Sequence, residues 1–136
     1  MRALDDTICA VATPAGEGGV GIVRVSGLQA LPIASTIVRL RCAKPLSEIK
    51  PYQLYLGKFL WDHFQAHDQV KPDFATVLDE VLVVIMRAPR SYTGEDVVEI
   101  HGHGGPLIVR AICEALTQAG ARMAEPGEFT KRVEPD

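Results

Sequence analysis

Hydrophobic residues along the chain fall into short runs separated by glycine- and proline-rich breaks, and the period of each run predicts the element it builds. Thr7 to Ala12 (TICAVA) is rich in β-formers and ends at Thr13-Pro14, which predicts a strand. Pro14 to Gly21 holds four glycines in eight residues and predicts a loop. Gly21 to Val25 (GIVRV) predicts a second strand, placed to pair with the first as a hairpin. From Ser26-Gly27 to about Leu40 the pattern predicts a helix, with Pro32 near its start and Ile33, Ile37, Val38 and Leu40 on an apolar face.

Tyr52 to Leu60 predicts a third strand, and Trp61 to Ala75, polar and mixed, a surface excursion. Val77 to Met86 is the strongest strand. Its core VLVVIM does not alternate, which predicts cover on both faces and an interior place in the sheet. Burying each such side chain stabilises by ~1.5–3 kcal/mol. Ala88 to Glu95 predicts a loop, and Val97 to His103 (VVEIHGH) a short strand ending in glycine. Pro106 to Ala119 is the best helix, with Ile108, Ile112, Leu116 and Ala119 on one face and Gly120 as its stop. Ala121 to Ala124 predicts a short edge strand, and Pro126 to Thr130 opens a new element. The sum is a mixed α/β (α+β) domain: one mixed β-sheet with about three helices.

The 136 residues suit one domain, read as residues 1–125 followed by the start of a linker at 126–136. Hydrophobic residues at 47% and charged residues at 23% exclude a disordered chain. A net charge of -3 gives no basic field, which disfavours duplex nucleic-acid binding driven by phosphate neutralisation, duplex DNA included. No apolar run approaches the ~20 residues of a membrane span. The start, MRALDDTICAV, lacks the pattern of a secretory signal. Cys9, Cys42 and Cys113 are widely spaced and read as reduced thiols in a cytoplasmic protein.

Several motifs offer chemistry. Gly16-Glu-Gly18-Gly-Val-Gly21 satisfies G-x-G-x-x-G, but it runs into β-branched Ile22-Val23 where a dinucleotide site needs a helix, so a loop between strands is the better reading. The chain contains neither G-x-x-x-x-G-K-[ST] nor G-x-S-x-G. Glu99, His101 and His103 alternate and so would share a strand face; a metal site there is set aside in favour of polar residues serving a pocket. His63 and His67 have a metal-like spacing in a segment that reads as exposed. Arg24 lies inside an apolar strand, either on a solvated face or aimed at a carboxylate- or carbonyl-rich ligand.

Three blocks carry a specific resemblance: DTICAVATPAGEGGVGIVRVSG (Asp6–Gly27), APRSYTGEDVVEIHGHGGP (Ala88–Pro106) and GARMAEPGEFTKR (Gly120–Arg132). They closely resemble the N-terminal domain of the MnmE/TrmE tRNA modification GTPases. The resemblance implies a fold similar to the tetrahydrofolate-binding domain of the glycine-cleavage T-protein. It also implies a homodimer with 5-formyltetrahydrofolate, or a related tetrahydrofolate, near the interface. The full protein of that family acts with MnmG on the wobble uridine of certain tRNAs, installing a carboxymethylaminomethyl or aminomethyl group. Carried onto this chain, the folate-contacting positions are Arg24 and Glu99, with His101 and His103 as further candidates. A carboxylate at Glu99 suits the paired donors of a pterin edge, and Arg24 suits ligand oxygens.

The family continues after GEFTKR with a segment that includes a lysine of the folate site, then helical and GTPase domains. This chain reads as truncated before them: Arg132 is followed by Val-Glu-Pro-Asp. GTP, magnesium and potassium therefore belong to the missing domain, and the chain is expected not to hydrolyse GTP. Two other functions stand beside the folate-binding module. One is a stand-alone folate-dependent one-carbon transferase using His101 or His103 as acid or base. The other is a dimerisation domain without a ligand.

Overall fold

The computed structural model describes residues 6–12, 19–61, 77–103 and 105–133. The polar excursion after Trp61, its two histidines and most of the Pro14–Gly21 loop lie outside them.

The chain builds β1 (Ile8–Val11), β2 (Gly21–Ser26), α1 (Ala30–Ser35), β3 (Val38–Leu40), a 3-10 turn (Leu46–Glu48), β4 (Tyr55–Leu60), β5 (Val77–Met86), β6 (Val97–Gly102), α2 (Pro106–Gln118), β7 (Arg122–Met123) and α3 (Glu128–Val133). The strands form one sheet in the order β3-β4-β5-β6-β2-β1-β7. All pairs are antiparallel except β1–β7, so the sheet is mixed and the fold is α+β. β1 and β2 pair as the expected hairpin, and β7 is an edge strand as expected. β5 lies inside the sheet between β4 and β6.

Alternation along the strands separates two faces. One carries Val23, Val25, Val81, Val83, Ile85, Val98 and Ile100, all fully buried. The apolar stripes of α1 (Ile33, Ala34) and α2 (Ile112, Leu116) join them in a single core. The opposite face carries Arg24, Glu99 and His101 with Leu82, Val84 and Met86. Val84 is buried there, whereas Leu82 and Met86 are half-buried, so the unbroken VLVVIM run is fully covered on one side only.

The predicted helix from Ser26 to about Leu40 is corrected by the structure: only Ala30–Ser35 is helical, and Val38–Leu40 is strand β3. Ser26 instead ends β2, and the chain turns at Gly27 with φ +142, its backbone against Thr7. The Thr7 hydroxyl accepts the Gln29 N–H at 3.0 Å, supplying from the residue before β1 the side-chain cap that α1 lacks. At the other end Ser35 Oγ and Thr36 Oγ1 donate to the carbonyls of Leu31 and Ile33 (2.7 and 2.8 Å), diverting the last turn. Val38 and Leu40 then point inward and Arg39 outward, paired with Phe59, Gly57 and Lys58. A Cβ at Gly57 would lie 2.8 Å from the Arg39 carbonyl, so glycine is what lets β3 close on β4.

The third strand starts later than predicted, at Tyr55, because the Pro51-Tyr52 turn takes Tyr52 to φ +61. Cys9 and Cys113 are buried, Cys42 is exposed, and all three are free thiols. No helix of the described residues is long and apolar enough to cross a membrane.

Candidate functional site: a carboxylate, a guanidinium and an imidazole on the open face of the sheet

β2 and β6 pair so that Arg24 stands opposite Glu99 and Ile22 opposite His101. Arg24 Nε and Nη2 both donate to Glu99 Oε2, at 2.8 and 2.6 Å. His101 Nε2 lies 3.1 Å from Glu99 Oε1. The Glu99 side chain is 12% exposed, Arg24 24% and His101 20%, so the group is mostly removed from water but open on one side. The His101 hydrogen bond first, and the Arg24 guanidinium after it, hold the Glu99 carboxyl below its ordinary range against the opposing effect of burial.

An ionised carboxylate has about four acceptor positions. Arg24 takes two on Oε2 and His101 takes one on Oε1. About one position therefore remains for a ligand. A ligand edge with two adjacent donors would have to displace one protein donor to dock on Glu99. That exchange could not be read from residue types alone.

Tyr92, from the loop between β5 and β6, places its ring 4.9 Å from the Arg24 guanidinium carbon. This stacks the cation on one side while Tyr92 as a residue stays 45% exposed. Arg24 also lines a cavity of about 350 Å³ formed by Ala10–Ala12 of the hairpin and by Ala124–Thr130. The volume lies within the ~300–1,000 Å³ range of small-molecule sites.

His103 does not join the cluster. It lies beyond the last residue of β6, its backbone N–H donates to Asp79 Oδ2 at 2.8 Å, and its Nδ1 is 3.7 Å from Asp79 Oδ1. With a side chain 60% exposed it caps the strand end. The strict alternation of Glu99, His101 and His103 thus breaks at Gly102, where a Cβ would meet Asp79 Oδ2 at 3.0 Å. Among the described residues no group of three metal-ligating side chains converges.

A second polar group, absent from the sequence reading, holds the walls of the site. Ser26 Oγ lies 2.6 Å from Thr93 Oγ1 and donates to Glu95 Oε1 at 2.7 Å. Arg132 of α3 donates to Glu95 Oε1 at 3.0 Å and to the Asp6 carbonyl at 2.9 Å, with its side chain 3% exposed. Arg122 clasps Glu128 at 2.7 and 3.1 Å. The Tyr92 loop and α3 are thereby tied to β2. The signal was available as three charged residues, Glu95, Glu128 and Arg132, inside the blocks SYTGED and GEFTKR.

This geometry defines the class: an α+β domain with α1 and α2 packed on one sheet face and a partly buried ionic cluster set into the other. The chain belongs to the family described as GTP-binding protein TrmE N-terminus, whose sequence model matches residues 7–133. It is 48% identical over 130 residues to the tRNA modification GTPase MnmE of Carboxydothermus hydrogenoformans, covering 96% of this chain and 26% of that protein. The MnmE of Symbiobacterium thermophilum is 48% identical over 129 residues, and that of Syntrophus aciditrophicus 46% over 130. The chain spans about a quarter of the length of these relatives: 26% of each.

Proposed function

We propose that the chain is the folate-binding and dimerisation domain of a tRNA wobble-uridine modification GTPase that works with MnmG. The observation that carries the reading is the Glu99–Arg24–His101 cluster, whose Arg24 also lines the 350 Å³ cavity. A reduced pterin carries an amino group and a ring N–H side by side, and a buried carboxylate is the side chain that accepts both. Glu99 is ionised at neutral pH, because its neighbours hold its pKa down. Arg24 has five N–H donors, of which Nε and Nη2 meet Glu99; the others have no partner among the described residues and suit ligand oxygens. His101 holds Oε1 and fixes the carboxylate plane. Tyr92 offers an exposed ring beside the guanidinium, a surface on which a flat heterocycle stacks. When bound, 5-formyltetrahydrofolate supplies the one-carbon unit.

The partners follow the same reading. Tyr52, Leu54 and Tyr92 are exposed at 60%, 57% and 45%, and Tyr52 donates its hydroxyl to the Arg90 carbonyl, which ties the Tyr52 turn to the loop that carries Tyr92. A second copy of the chain covers these exposed side chains, of which Tyr92 lies beside Arg24. GTP hydrolysis belongs to the part of the relatives that this chain does not span.

Equilibrium dialysis with labelled 5-formyltetrahydrofolate tests the ligand, and sedimentation equilibrium tests the dimer. Saturable retention of one folate per chain is expected. Retention no greater than that of free folic acid analogues lacking the ring N–H would refute the ligand. A concentration-independent monomer mass would refute the dimer.

A further inference from the structure

Residues 38–58 contain Arg39, Arg41, Lys44, Lys50 and Lys58 against a single acid, Glu48, in a chain of net charge -3. All five cations are exposed. Arg24, Arg87, Arg122 and Arg132 each stand in an ion pair, whereas none of these five does among the described residues. Register gathers three of them on one surface. Arg39 lies directly opposite Lys58, and Arg41 sits opposite Leu56, donating its N–H to the Leu56 carbonyl at 2.9 Å. With Gly57 and Glu80 they line an open groove of about 470 Å³.

Like charges directly across a strand pair destabilise it. An edge strand stays unpaired with a lone charge or two, so three cations facing one acid, Glu80, which stands opposite Lys58 without closing an ion pair, exceed what the fold requires. The groove is also on the same sheet face as the ionic cluster: Leu56 faces Leu82, and Leu82 faces His101. Arg41 is therefore three strand spacings from His101, or about 14 Å.

We propose that this corner of the sheet is a docking surface for the phosphodiester backbone of an RNA. The choice of RNA rests on the tRNA-modification reading above. Guanidinium forks on a concave basic surface match phosphate oxygens. A chain that is acidic elsewhere allows only a local contact of a few phosphates, not a duplex-wide field. A nucleotide displayed at the Glu99 cluster has its neighbouring phosphates on Arg39, Arg41 and Lys58.

The test is fluorescence anisotropy of a labelled RNA stem-loop with the full chain over a series of KCl concentrations. Neutralising three phosphates gives a slope of log K against log salt of about -2 to -3. R39A/R41A lowers that slope by about two and weakens low-salt binding by roughly tenfold or more. Its affinity for 5-formyltetrahydrofolate stays unchanged. A wild-type slope near zero overturns the proposal, as does a double variant that binds RNA like the wild type. Self-association of R39A/R41A with RNA binding intact shows that the charges only guard the β3 edge, which also overturns it. Equal binding of a poly-glutamate peptide assigns the corner to an acidic protein instead. Loss of folate binding with a salt-dependent RNA contact intact would sink the folate reading alone.

Discussion

Substituting Arg132 by methionine tests whether α3 is bolted to the domain. The side chain is 3% exposed and holds Glu95 at 3.0 and 3.3 Å, the Asp6 carbonyl at 2.9 Å and Glu128 at 3.6 Å. Removing one partner of a buried pair costs ~3–5 kcal/mol. Glu95 is 28% exposed and keeps its bond from Ser26, so water recovers part of that loss. Methionine also retains the packing of the arginine stem. The expected destabilisation is about 2–4 kcal/mol, or very roughly 6–15 °C in Tm for a domain of this size. Lys131→Met, at an exposed neighbour, should stay within about 0.5 kcal/mol. Urea unfolding of both variants, with the cycle completed by Glu95→Gln, measures the coupling directly. A loss below ~0.5 kcal/mol for Arg132→Met, matching Lys131→Met, would show that α3 is not held by this network.

Two further outcomes follow from named contacts. Gly27→Ala places a Cβ 2.6 Å from Thr7 Oγ1 and 2.7 Å from Thr7 Cα at φ +142, and should cost about 2–4 kcal/mol in urea unfolding; a change under ~1 would contradict the turn. Glu128 is held down to about 2, from an ordinary 4.5, first by its hydrogen bonds from Arg122, then by the Glu125 N–H and the charges of Arg122 and Arg132. A depressed carboxylate contributes stability that is fully present above the unfolded pKa and is lost as pH falls through the folded one. Glu128→Gln should therefore flatten the fall of Tm between pH 4.5 and about 2, and an unchanged acid limb would refute the clasp.

The parts of the fold that were readable in the sequence are those where one period dominates. Val77–Met86 is too long and too β-branched for anything but a strand, and Pro106–Gln118 has a first-turn proline and a four-residue apolar step. Ile37-Val38-Arg39-Leu40 satisfies both the helical and the alternating period. Its fate was decided by Gly57, nearly twenty residues downstream, which admits a neighbouring strand. Arg24 and Glu99 were identifiable as residue types in apolar strands, and register brings them together. What residue types do not carry is occupancy: that Glu99 is already engaged by Arg24 and His101, and that His103 turns to Asp79. Tyr92 and the Glu95–Arg132 pair escaped for the same reason, since each acts through a partner distant in sequence.

In the proposed function Glu99, oriented by Arg24 and His101, receives the pterin edge of a tetrahydrofolate. Calorimetric titration of the wild type and of Glu99→Gln with 5-formyltetrahydrofolate tests it most directly. The substitution turns one acceptor into a donor facing a donor and removes the charge. A charge-assisted bond contributes ~1.5–3 kcal/mol and an unsatisfied buried donor costs a similar amount, so affinity should fall by about 10- to 100-fold or more. Because Glu99 is buried and paired, the variant should also lose about 1–2 kcal/mol of stability, and the titration is run well below its melting point. Wild-type binding that the Gln variant matches, or a wild type that binds no folate, would contradict the account.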